Sequence, residues 1–79
     1  MNIKILGAGC PKCRRLEKNV RTALENLNIE ADVEKVTDIN DIMKYEVMMT
    51  PGLVIDGAVK STGKIFTVYE LEKLLTKLQ

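Results

Sequence analysis

The chain has 79 residues, 46% of them hydrophobic, and its 12 basic and 11 acidic side chains leave a net charge of +1. That length holds one small domain, expected over 1–79, burying about 60% of its unfolded surface. The scattered, nearly cancelling charge argues against a nucleic-acid or membrane-surface partner held through bulk electrostatics. Histidine is absent, which removes the usual general base and the usual nitrogen ligand for a metal.

The opening Met-Asn-Ile-Lys-Ile-Leu meets glycine after three apolar residues, short of the apolar core of a secretory signal. No run approaches a membrane span. A cytoplasmic location is therefore expected, with no membrane partner; a monomer is expected as well.

Ile3, Ile5 and Leu6 around Lys4 predict a first strand over 2–6, ended by Gly7 and Gly9. From Pro11 the apolar positions Cys13, Leu16, Val20, Ala23, Leu24 and Leu27 recur at threes and fours, so a helix is predicted over 11–27. Asn28 suits its C-terminal cap, because asparagine tolerates the left-handed conformation. Ala31 and Val33, with Asp32 and Glu34 between and beyond them, predict a second strand over 30–36. Thr37 or Asp38 supplies a capping oxygen for a short helix over 39–46, with Ile39, Ile42 and Met43 on one face.

Val47-Met48-Met49-Thr50-Pro51 forms an apolar approach to Gly52-Leu53-Val54-Ile55, a buried strand in which at least one of the two methionines is expected to pack in the core. Asp56-Gly57 then predicts a tight hairpin into Ala58-Val59-Lys60, because a type I′ turn needs positive φ at both central residues. After a break at Ser61-Thr62-Gly63, Thr67-Val68-Tyr69-Glu70 fits a capping box before Leu71, Leu74, Leu75 and Leu78, which predicts a last helix over 68–78. The order βαβαββα, with an apolar face on every helix, predicts an α/β fold of three helices on a mixed four-stranded sheet.

Both cysteines fall in Cys10-Pro11-Lys12-Cys13, between the first strand and the first helix. Two thiols in a reducing compartment point to catalysis or metal binding rather than to a permanent crosslink. Cys10 stands where unpaired amides and the positive end of the helix dipole stabilise an anion, while Cys13 shares the buried stripe. The asymmetry predicts Cys10 as the attacking thiolate and Cys13 as the resolving thiol of a disulfide exchange. Pro11 fits the first helical turn, where its missing N–H costs nothing. Lys12, Arg14 and Arg15 add positive charge beside the thiol.

Together these features resemble the thioredoxin superfamily, and within it the very small thioredoxin-like, glutaredoxin-like redox proteins of archaea and bacteria. The resemblance spans essentially the whole chain and is carried by the Cys10 to Cys13 motif at a helix start, Thr50-Pro51 before a strand, the Asp56-Gly57 hairpin and the closing helix. It implies a thioredoxin-like fold, a cis Thr50-Pro51 bond with Pro51 beside the dithiol, and a Thr50 backbone that pairs with an extended substrate. Catalytic Cys10 and Cys13 and substrate-facing Pro11, Lys12, Thr50 and Pro51 follow, with no cofactor and no metal. The partners would be proteins carrying disulfides and an upstream reductase or low-molecular-weight thiol.

The chain departs from that pattern in three places. Gly9 replaces the tryptophan that precedes the first cysteine in thioredoxins, and Lys4 stands where those proteins bury a carboxylate that assists proton transfer. Ser61-Thr62-Gly63-Lys64 replaces the glutathione-binding signature. Two other classes fit the same cysteines: a soft-metal Cu(I) carrier, whose domains usually end on a strand, and an interaction module that senses oxidation.

Overall fold

The computed structural model describes residues 1–78, so Gln79 lies outside the described residues. Seven elements follow in the expected order: β1 (Asn2–Leu6), α1 (Pro11–Asn26), β2 (Asp32–Val36), α2 (Ile39–Met43), β3 (Gly52–Ile55), β4 (Ala58–Thr62) and α3 (Val68–Lys77). The strands form one sheet in the order β2-β1-β3-β4. β1 runs parallel to β2 through the α1 crossover and antiparallel to β3, and β3 runs antiparallel to β4. This is the mixed four-stranded α/β architecture that the resemblance implies.

Alternation along the central strands builds two unequal cores. Ile3 and Ile5 of β1, with Leu53 and Ile55 of β3, face Leu16, Val20, Ala23 and Leu24 of α1 and Leu71 and Leu75 of α3. Leu6 and Val54 point the other way, onto Ile42 of α2 and Val47. A buried leucine or isoleucine contributes roughly 1.5–3 kcal/mol, so the α1/α3 side supplies most of the apolar stabilisation. β2 is an edge strand, which explains its imperfect alternation. Lys35, on the same side as Ile5, reaches Glu17 of α1 at 3.6 Å rather than entering the core.

The helix ends follow local chemistry. α1 stops at a Schellman arrangement: Asn28 has φ 55°, its amide donates to the Glu25 carbonyl at 3.1 Å, and the Ile29 amide donates to the Leu24 carbonyl at 2.9 Å. Asp38, not Thr37, caps α2 by accepting from the Asn40 amide at 2.8 Å. α2 is three residues shorter than the 39–46 expected, because the chain turns at Glu46 with φ 59°. The hairpin turn has positive φ at both Asp56 and Gly57. β4 runs to Thr62, past the expected break at Ser61, because an irregularity in the register between Leu53 and Val54 re-pairs its end with Leu53 and Gly52.

Candidate active site

The end of β1 and the start of β3 are neighbours, since Leu6 pairs with Gly52. Gly7, which leads to the cysteines, and Pro51 therefore emerge at the same end of the sheet. The Gly7 amide extends the ladder by donating to the Val36 carbonyl at 2.9 Å, and the Pro51 carbonyl accepts from the Gly63 amide at 2.8 Å. These bonds fix both segments that carry the candidate residues. The Thr50-Pro51 peptide is cis, Pro51 is fully buried and Thr50 is exposed.

Cys10 is the N-cap of α1, in extended conformation (φ −68°, ψ 162°), and Pro11 follows at the first helical position. Its carbonyl accepts the Arg14 amide at 3.1 Å, while its Sγ accepts the Cys13 amide at 3.3 Å. Cys13 is the third helical residue, so one turn brings its Sγ to 2.7 Å from Cys10 Sγ. Both thiols are free. Cys10 is partly exposed and Cys13 only 5% exposed, the division of access expected from the buried stripe.

The same geometry separates the two acidities. The hydrogen bond from the Cys13 thiol, followed by that from the Cys13 amide, lowers the Cys10 pKa below the ordinary thiol value. Burial, and then the donation of its own proton to Cys10, raises that of Cys13. The sequence reading gave the helix terminus the leading part; the neighbouring thiol leads, and the amides come second. Lys12, Arg14 and Arg15 lie exposed on the outside of α1, where solvent screens their charge.

Pro11 and Lys12, next in the chain to Cys10, line a shallow 300 Å³ cleft with Arg15 and Ile65. Thr50 comes close to Cys13 across Gly7: a Cβ added to Gly7 would lie 3.7 Å from Thr50 Cβ and would overlap Cys13 Sγ. The six sequence-predicted residues thus fall on two segments that meet around Gly7.

Met48 and Met49 correct an expectation. Neither packs in the core; they are 95% and 63% exposed, and Val47 fills the buried position instead. Met49 lies over Gly63, whose φ is 71°. The two methionines therefore add a soft, apolar rim next to Thr50.

Lys4 points to the α2 side of the sheet, where its ammonium donates to the Tyr45 hydroxyl at 3.2 Å, and that bond raises its pKa. No buried charged or polar side chain occurs among the described residues, so no carboxylate stands behind the sulfurs. Among those residues no group of three or more Cys, Asp or Glu side chains is placed to hold a metal, and no helix is long and apolar enough to cross a membrane.

Gly7 escaped the sequence reading, which took it only as the end of a strand. Its one available signal was a glycine at a buried strand end six residues before a helical cysteine.

A family model described as a thioredoxin domain matches residues 1–76. The chain is 44% identical over 73 residues to a thioredoxin of Methanocaldococcus jannaschii, covering 92% of this chain and 84% of that protein. It is 38% identical over 76 residues to a thioredoxin of Methanothermobacter thermautotrophicus, covering 96% and 99% respectively. With the fold, the paired sulfurs at a helix start and these matches together, the chain belongs to the thioredoxin family.

Proposed function

We propose that the protein is a thiol-disulfide oxidoreductase that reduces protein disulfides through Cys10 and Cys13. The observation that carries this reading is the unequal sulfur pair: an accessible Cys10 with lowered pKa accepts hydrogen bonds from a buried Cys13 with raised pKa. A thiolate is the nucleophile of exchange, and a buried protonated thiol keeps the second sulfur out of the first step.

In the first step Cys10 thiolate attacks one sulfur of the substrate disulfide. A Cys10–substrate bond forms, the substrate S–S bond breaks, and the other substrate sulfur leaves as a thiolate that takes a proton from water. Cys13 then loses its proton and attacks Cys10 Sγ, forming the Cys10–Cys13 disulfide and expelling the second substrate sulfur, which is protonated in turn. Two electrons pass from the protein to the substrate. A reductase or a low-molecular-weight thiol returns them. With Lys4 in place of a buried acid, solvent water receives the Cys13 proton.

Thr50, an exposed residue, offers its backbone to an extended substrate segment, Pro51 backs it, and Pro11 and Lys12 border the nucleophile. A catalytic dithiol suits a reducing compartment, so the reading carries with it a cytoplasmic, monomeric protein. The element order supports exchange over the competing Cu(I) carrier, because β4 is followed by a helix, α3, and not by a strand. Turnover of insulin disulfides with dithiothreitol as electron source tests the reading. The parent protein accelerates precipitation of the reduced chains and Cys10→Ser does not; equal rates for the two would contradict it. Stable mixed disulfides on Cys13→Ser separate exchange from passive sensing.

A further inference from the structure

The two glycines that flank Ala8 are glycine for different reasons. Gly9 has φ 82° and open space where a side chain would stand, so backbone conformation alone explains it. Gly7 is buried, and its φ lies outside the left-handed region, so no positive φ calls for glycine there. What excludes a side chain is the sulfur: a Cβ on Gly7 would overlap Cys13 Sγ and lie 3.3 Å from Cys13 Cβ.

We propose that Gly7 is the positioning residue for the resolving sulfur: its bare Cα is the seat on which Cys13 Sγ rests, 2.7 Å from Cys10 Sγ. The role rests on the exchange reaction proposed above. β1 cannot yield to a side chain at this point, because the Leu6–Gly52 pairing on one side and the Gly7 amide bond to Val36 on the other hold its end. Thr50 closes the neighbouring direction. A methyl group on residue 7 therefore moves the sulfur and not the strand.

The consequence falls on the second half of the reaction. Resolution needs Cys13 Sγ behind Cys10 Sγ, in line with the departing substrate sulfur, so that one S–S bond forms as the other breaks. The proton lost by the Cys13 thiol is matched by one that the leaving sulfur takes up. A misplaced attacking atom slows such a step steeply. The first step uses only Cys10, and loses at most the help of the Cys13 hydrogen bond.

Reaction of the reduced full-length protein with 5,5′-dithiobis(2-nitrobenzoate) separates the steps, because attack by Cys10 releases one thionitrobenzoate and closure by Cys13 releases a second. In Gly7→Ala the ratio of the second rate to the first is expected to fall by about tenfold or more; a ratio within about threefold of the parent overturns the proposal. A stability cycle covers the case in which Gly7→Ala folds poorly. Gly7→Ala should destabilise the parent more than it destabilises Cys13→Ala, where the obstructing sulfur is gone; equal losses in the two backgrounds, or failure to fold in both, overturn it. If the parent itself never releases the second thionitrobenzoate, the exchange reaction fails while the stability cycle still tests the seat.

Discussion

Helices α1 and α3 begin in the same way and for opposite ends. At α3 the N-cap Thr67 accepts the Glu70 amide at 3.1 Å, and the Glu70 carboxylate reaches back to the Thr67 amide at 3.0 Å. At α1 the N-cap Cys10 accepts the Cys13 amide at 3.3 Å, but the residue at the Glu70 position is Cys13 and the first turn holds no acid. One terminus is closed by an oxygen and a carboxylate; the other is left open around a sulfur whose pKa is lowered. A capping box stabilises a helix by satisfying its free amides. In α1 the same spacing, with sulfur in both places, spends those amides on the acidity of Cys10.

Making α1 resemble α3 should therefore abolish chemistry without breaking the helix. Cys10→Thr supplies a capping hydroxyl, so the expected result is loss of insulin reduction to the uncatalysed rate, with stability within about 1 kcal/mol of the parent by urea unfolding. Retained turnover would separate the cap from the catalysis. The reciprocal change at α3, Thr67→Ala, should cost about 1 kcal/mol, roughly fivefold in the folding constant, and leave the rate of thiol alkylation unchanged.

The seven elements were legible because each rests on short-range chemistry: the stripe of α1, the Asp56-Gly57 turn, and the Thr67 to Glu70 box. What the sequence hid depends on contacts distant in the chain or on single dihedrals. The early end of α2 comes from one positive φ at Glu46, a residue type that gives no warning of it. The extra length of β4 comes from a bulge set by pairing with β3. Met48 and Met49 are apolar yet exposed, because the turn between buried Val47 and buried Pro51 leaves them outside the core. The candidate cysteines were visible from their spacing, and Gly7 was not, since its constraint is a sulfur six residues away that only the turn into α1 brings back.

A smaller test adds to α1 the charge that α3 already carries. Lys12→Glu places a carboxylate in the first turn, where it competes with the Cys10 thiolate for the same amides and dipole. Alkylation of Cys10 at neutral pH should slow by about two- to fivefold, and the difference should shrink in high salt; faster alkylation would contradict the account of the open terminus.

The smallest effect concerns pH at α3. The Thr67 amide, and then Lys64, hold the Glu70 pKa below the ordinary carboxylate value. A depressed carboxylate contributes stability above its unfolded pKa and loses it as pH falls through the folded one. Glu70→Gln should thus lower the Tm slightly at neutral pH and become indistinguishable from the parent in acid; a Tm deficit that persists in acid would assign the effect to packing instead.

The most direct measurement is the pH dependence of alkylation at each sulfur, followed by mass spectrometry on the reduced protein and on Cys13→Ala. Cys10 should react with an inflection below that of a free thiol, Cys13 should remain unmodified until higher pH, and removal of the Cys13 thiol should move the Cys10 inflection upward. A Cys10 that titrates like a free thiol, or a Cys13 that reacts first, would contradict the division of labour between the two sulfurs.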